Sequence, residues 1–157
     1  MDEDKLNRLP PDVKKQFVKL ALKLSEKKTK TKVNDDFLSF VKHVWPEFIE
    51  GKHHKEIAEK FNQIARGEIK RLIINMPPRH TKSEFASFLL PSWMVGRKPD
   101  LKIIQTTHTT ELAIRFGRKA KTLMDSAEYK QVFKTRLRED SQAAGKWETE
   151  QGGEYYA

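Results

Sequence analysis

Val13, Phe17, Leu20, Ala21 and Leu24 fall on one face of a helix spanning residues 12 to 26, with Asp12 placed to cap it after Pro10 and Pro11. The apolar pattern then stops. KKTKTK, residues 27 to 32, holds no apolar side chain and reads as a solvated linker or, alternatively, as an arm that contacts nucleic acid. A boundary is expected near residue 33, giving an N-terminal helix and basic linker over 1–33 and a main domain over 34–157. Helical spacing resumes at Phe37, Phe40, Val41 and Val44, behind Asn34 and Asp35 as caps and ahead of Pro46. A third helix buries Ile57, Ala58, Phe61, Ile64 and Ala65, and Gly67 stands where a helix end favours a left-handed residue.

The period changes at RLIINM. Leu72, Ile73 and Ile74 are consecutive and β-prone, the pattern of a strand over 71–75 covered on both faces. Residues 83 to 95 return to helix through Phe85, Phe88, Leu89 and Trp93, with a kink or stop near Pro91. LKIIQTT, residues 101 to 107, is a second apolar strand at the spacing of a strand-helix-strand crossover, so the two strands are expected to be parallel neighbours. Thr109 can cap a further helix that buries Leu112, Ala113, Phe116, Ala120, Leu123 and Met124, with Glu111 near its positive end. Tyr129, Val132 and Phe133 suggest one more helical turn; residues 134 to 146 read as polar and irregular, and GGEYYA as a turn into a strand left without a neighbour.

The 157 residues suffice for one domain with a real core. Charged residues make up 34% and the net charge is +9, which suits a polyanionic partner such as nucleic acid and equally serves solubility. No cysteine is present, so disulfides and thiolate metal sites are excluded. MDEDKLNRLP lacks the cationic and apolar regions of a signal peptide, and no apolar run approaches a membrane span; a soluble intracellular protein is expected.

Candidate chemistry is concentrated at INMPPRHTKSE. A phosphate-binding loop needs backbone N–H groups converging at a helix start, a lysine to reach the outer phosphates and a hydroxyl for Mg²⁺. Lys82 and Ser83 stand in that order between an expected strand and an expected helix, and Thr81 to Glu84 can turn their amides inward. Met76 and Thr81 occupy the two positions where the usual loop has glycine, and Pro77 and Pro78 donate nothing. An ordinary strand-to-helix turn is the competing reading.

INMPPRHTKSE resembles the variant phosphate-binding loop of the large terminase subunits of tailed double-stranded DNA bacteriophages, ATP-driven motors that package DNA. In that family Pro-Pro-Arg-His-x-Lys-Ser is frequent, and the position before the lysine tolerates residues other than glycine. FVKHVWPEF with HHKEIAEKF is similar to the family's helical segment ahead of the loop. TTHTTELAIRFGRKAKTLMDSAEYKQVF is similar to its second strand and following helix, and WETEQGGEYYA to the run toward its acidic strand. The likeness covers residues 36 to 157.

The resemblance implies an α/β P-loop NTPase of the RecA-like, additional-strand class, a three-layer fold with an N-terminal helical extension. It implies an ATPase with ATP and Mg²⁺ as cofactors, bound by Pro78, Arg79, His80, Thr81, Lys82, Ser83 and Glu84. Lys82 would meet the β and γ phosphates, Ser83 would hold Mg²⁺, and Arg79 would stabilise charge on the γ phosphate. Implied partners are double-stranded DNA, a terminase small subunit and the capsid portal, on which the motor forms a homo-oligomeric ring in the host cytoplasm without a membrane. The family's metal-holding acidic strand, catalytic carboxylate and nuclease domain have no counterpart in this sequence, so a truncated ATPase domain, inactive by itself, is expected.

Weaker candidates surround the loop. His53 and His54 lie near the family's adenine contacts, although a histidine pair at a helix start is more often exposed and inert. Thr106, Thr107 and His108 end the second strand, where ligands bind in open α/β folds and where capping of the next helix is the competing task. Arg115, Arg118, Lys119 and Lys121 form a face that suits DNA phosphates or plain solvation. A non-enzymatic, basic DNA-binding or adaptor module is the rival function, and another loop ATPase such as a helicase is the third.

Overall fold

The apolar stripes of separate helices meet at Phe37. Its fully buried ring takes Phe61, Phe85 and Trp93 edge-on at centroid distances of 5.1, 5.4 and 5.5 Å. Such edge contacts direct the positive ring edge at a negative face and add to the area buried. The computed structural model describes residues 10–157, a mixed arrangement of helices and one four-stranded sheet. The opening MDEDKLNRL, read above for a leader, lies outside the described residues.

Helix α1 is Pro11–Asp35, α2 Phe37–Val44 and α3 Lys52–Ala65. The linker expected at 27 to 32 is corrected: KKTKTK continues α1 without a break. Lysine is a good helix former, and α1 is anchored beyond the run where Val33 is buried and its carbonyl accepts Trp93 Nε1–H at 3.0 Å. Asp12 falls in the first turn of α1 rather than at its cap position, which is Pro10. Neither Asn34 nor Asp35 caps α2; Asp36 does, accepting from Ser39 N at 2.7 Å. Asn62 of α3 locks this junction, its Nδ2 donating to Asp36 Oδ1 at 2.9 Å while its Oδ1 accepts from Phe37 N at 2.8 Å. Burial, the largest single effect, raises the Asp36 carboxyl, but the hydrogen bonds from Ser39 and Asn62 together outweigh it and hold the group below its ordinary range.

Helix α4 begins at Lys82–Glu84, passes through a π-helical stretch Phe85–Leu89 and finishes as Leu90–Arg97. Pro91 explains the wide turn. It has no N–H to give to the residue four positions back, and the chain reaches it with the Leu90 N–H bonded to Phe85 O, five positions back. Strand β1 is Lys102–Ile104, α5 Thr110–Asp125 and α6 Ala127–Val132, with Thr109 capping α5 as expected.

The sheet differs most from expectation. Residues 134 to 146 are not irregular throughout: β2, Leu137–Ala143, pairs antiparallel with β3, Lys146–Thr149. The terminal strand β4, Glu154–Tyr156, is not left unpaired but lies between β1, parallel, and β3, antiparallel, in the order β1-β4-β3-β2. Residues 71–75 form no regular secondary structure and belong to no ladder, so the buried strand and its parallel pairing with β1 are corrected. Leu72, Ile74 and Met76 pack on the core, whereas Ile73 is 86% exposed. The segment is thus one-faced, with an open groove of about 850 Å³ between it and α3, lined by His53, Ile57, Lys60, Leu72, Ile74 and Met76.

Among the described residues, no helix is long and apolar enough to cross a membrane.

Candidate functional site

Residues 76 to 84 bridge residues 71–75 and α4, and two of them carry left-handed backbone: Arg79 at φ 64° and Thr81 at φ 58°. Thr81 stands where the usual phosphate loop has glycine, and it adopts the conformation that glycine supplies without steric cost. A β-branched residue there is held by its surroundings.

The hold comes from α3. His54, 6% exposed, sits in the first turn of that helix behind Gly51, and its Nδ1 accepts the Gly51 N–H at 2.8 Å. Its Nε2 lies 2.6 Å from Thr81 Oγ1, and that hydroxyl in turn donates to His80 O at 2.7 Å. Because the hydroxyl's one proton goes to His80 O, Oγ1 accepts from His54, and Nε2 is the protonated nitrogen. Both ring nitrogens therefore agree on a neutral imidazole. Burial, and then the neighbouring His53, push its pKa below the ordinary value. Phe48 and Phe85 flank the ring at centroid distances of 4.8 and 5.1 Å.

Lys82 and Ser83 open α4. The Lys82 ammonium reaches back across the loop to Met76 O at 3.3 Å, joining its two ends. Phe85 N–H to Thr81 O is the first backbone bond of the helix, so the amides of Lys82, Ser83 and Glu84 precede the ladder and are the orphan donors of its first turn. Ser83 presents an exposed hydroxyl beside them. Pro78, Arg79 and His80 are exposed, with His80 Nδ1 2.9 Å from Pro78 O. Glu84 faces away to α5, paired with Lys119 at 2.8 Å.

The remaining candidates separate. His53 leans on His54 at a ring distance of 3.8 Å and lies 5.9 Å from His80, with its Nε2 buried and lacking a hydrogen-bond partner. His54, for which an exposed and inert place was the commoner expectation, is instead buried and bonded to the loop. Thr107 Oγ1 donates to Thr109 O at 2.6 Å, a local turn bond, and Thr106 and His108 are exposed. Of the basic α5 face, Arg115 and Arg118 are exposed while Lys119 is committed to Glu84 and to the Phe88 ring. Among the described residues, no group of three His, Asp or Glu side chains is arranged to hold a metal ion.

The contact of His54 with the loop is the feature that the sequence reading does not reach. Its one trace in the sequence is position: His54 lies three residues after Gly51, where a side chain can reach back to the N-cap amide.

No protein-family model matches the chain, and no curated protein or solved structure is significantly similar to it.

Proposed function

We propose that residues 76 to 84 bind the phosphates of ATP with Mg²⁺, within a P-loop ATPase of the kind that powers packaging of double-stranded DNA by phage terminase large subunits. The observation that carries the reading is the loop itself. Residues 71–75, outside any ladder, run into a turn with two left-handed residues, a helix begins at Lys82 with its orphan amides, and the Lys82 ammonium crosses the loop to Met76 O. Backbone N–H groups at a helix start and a lysine beside them are an anion-binding arrangement. The likeness of INMPPRHTKSE to the terminase loop narrows the anion to a nucleoside triphosphate.

The donor set fits the group. Lys82 would leave Met76 O for the β and γ phosphates, the amides of Lys82 to Glu84 would bond phosphate oxygens, and Ser83 would offer its hydroxyl to Mg²⁺. Bound Mg²⁺ would neutralise charge on the phosphates. Arg79, exposed on the loop and without an ion pair among the described residues, is free to turn to the γ phosphate. Glu84 is tied to Lys119, so it is not the base that activates water. Three-layer RecA-like topology, a homo-oligomeric ring on a portal, a small-subunit partner and a host-cytoplasmic setting belong to the same proposal.

Equilibrium binding of ATP with Mg²⁺ to the chain and to Lys82→Ala tests the reading. Loss of the ammonium contacts weakens binding by about 10- to 100-fold, the worth of a hydrogen bond to a charged group. Equal affinity in the two proteins overturns it. Salt-dependent DNA binding that survives Lys82→Ala without any ATP binding favours the basic adaptor module instead.

A further inference from the structure

We propose that neutral His54 is the positioning residue of the loop: through its Nε2–H it latches the Thr81 hydroxyl, and the latch does the work that glycine does in the usual phosphate loop. The inference rests on the nucleotide-binding reading for its consequence, but not for its geometry.

Three observations converge on it. Thr81 holds φ 58° and ψ 6°, a conformation that a threonine adopts only under constraint. The constraint is a two-bond chain from His54 Nε2–H to Thr81 Oγ1 and from Thr81 Oγ1–H to His80 O, which fixes the side chain and the preceding carbonyl together. The latch is itself anchored, because His54 is buried, accepts the Gly51 N–H and packs against Phe48 and Phe85, which also touch each other. Helix α3 thereby sets the direction of the amides that follow Thr81, at the start of α4. A glycine loop finds this turn unaided; the threonine loop needs a partner 27 residues earlier in the chain.

Four variants and two readouts test the latch. Gln at position 54 can place an amide N–H near the Nε2 position, whereas Asn is too short to reach Thr81. Thr81→Val keeps the shape and removes the hydroxyl, on a partly exposed loop where it leaves the core alone. The first readout is the nitrogen spectrum of the His54 imidazole together with the Thr81 backbone shifts, which report tautomer and sign of φ without any ligand. A single Nε2–H tautomer and a left-handed Thr81 are expected, the latter lost in His54→Asn and Thr81→Val and retained in His54→Gln. The second readout is affinity for ATP with Mg²⁺. His54→Asn and Thr81→Val bind about tenfold more weakly, the equivalent of one hydrogen bond, and His54→Gln stays close to the parent. Adding Thr81→Gly to His54→Asn restores binding, since glycine needs no latch.

An Nδ1–H tautomer, an unchanged Thr81 backbone in His54→Asn, or failure of Thr81→Gly to rescue overturns the latch. If the parent protein binds ATP no better than Lys82→Ala, the nucleotide reading fails, and the ligand-free spectra still decide the latch.

Discussion

Lys119 Nζ lies 2.8 and 2.9 Å from the two carboxylate oxygens of Glu84 and 5.1 Å from the centre of the Phe88 ring. One cation on α5 thus fastens α4 at two places, its first turn through Glu84 and its π-helical stretch through Phe88. Both charged side chains keep about a third of their surface in water, at 36% and 34%, so solvent screens the pair. A double-mutant cycle of Glu84→Gln and Lys119→Met is expected to give a coupling of about 0.5–1 kcal/mol, falling as salt is raised. Zero coupling at low salt would show that the pair contributes nothing to the seating of α4.

Trp147 and Tyr155 stand opposite each other on β3 and β4, stacked at 4.7 Å with planes 3° apart, and both are fully buried. The Tyr155 hydroxyl has no hydrogen-bond partner, and burial pushes its pKa from 10.0 up to about 12. The folded protein therefore keeps the proton that the unfolded chain gives up. Stability from this group is fully present below pH 10 and is lost as pH rises through about 12. Tyr155→Phe removes an unpartnered polar atom, so at neutral pH it should cost less than about 1 kcal/mol or stabilise. It should also flatten the alkaline fall in urea-denaturation stability. Tyr129, likewise raised by burial, leaves a remainder. An alkaline fall unchanged by the substitution would mean that Tyr155 reaches water.

The contrast between what could be read and what could not is physical. Helix faces were legible for α2, α3 and α5, whose stripes sit in the core because burial every three to four residues is a local signal, whereas the α1 stripe of Val13, Phe17, Leu20 and Leu24 is exposed. The sheet was not, because its pairings are non-local: Lys102 meets Glu154 across 52 positions, and nothing near either residue announces the other. Strand β2 escaped notice because it lies at the edge of the sheet, where Arg138 pairs with Asp140 and Glu148 in solvent and no alternation of apolar residues is needed. In KKTKTK low hydrophobicity is no sign of missing structure, since helix propensity and a buried residue just beyond suffice to carry a helix through. At the loop, the place of Lys82 and Ser83 at the start of a helix was legible from the sequence, whereas the His54–Thr81 bond is one that only the fold creates.

Arg79 is the second left-handed residue of the loop, at φ 64°. Arg79→Gly and Arg79→Ala both delete the guanidinium, so the difference between them isolates the backbone. Glycine should leave the protein about 0.5–1 kcal/mol more stable than alanine in chemical denaturation, because alanine retains the clash that glycine lacks. Equal stabilities would show that the turn relaxes to negative φ when the arginine is gone.

Ile73 is 86% exposed within residues 71–75, which pair with no strand of the sheet, and Ile104 on the edge strand β1 is 79% exposed. Bare backbone next to a large apolar side chain is the recipe for edge-to-edge association. Folding stability gains little from Ile73, since its side chain has already returned to water. Ile73→Lys should therefore change the denaturation free energy by less than about 0.5 kcal/mol, the range of ordinary surface substitutions. The same change should lower the concentration-dependent mass measured by light scattering, because a charge beside an open edge repels a second copy. A loss of more than about 1 kcal/mol would mean that Ile73 is covered in solution, and unaltered scattering would place the association elsewhere, with the exposed Ile104 edge the next to test.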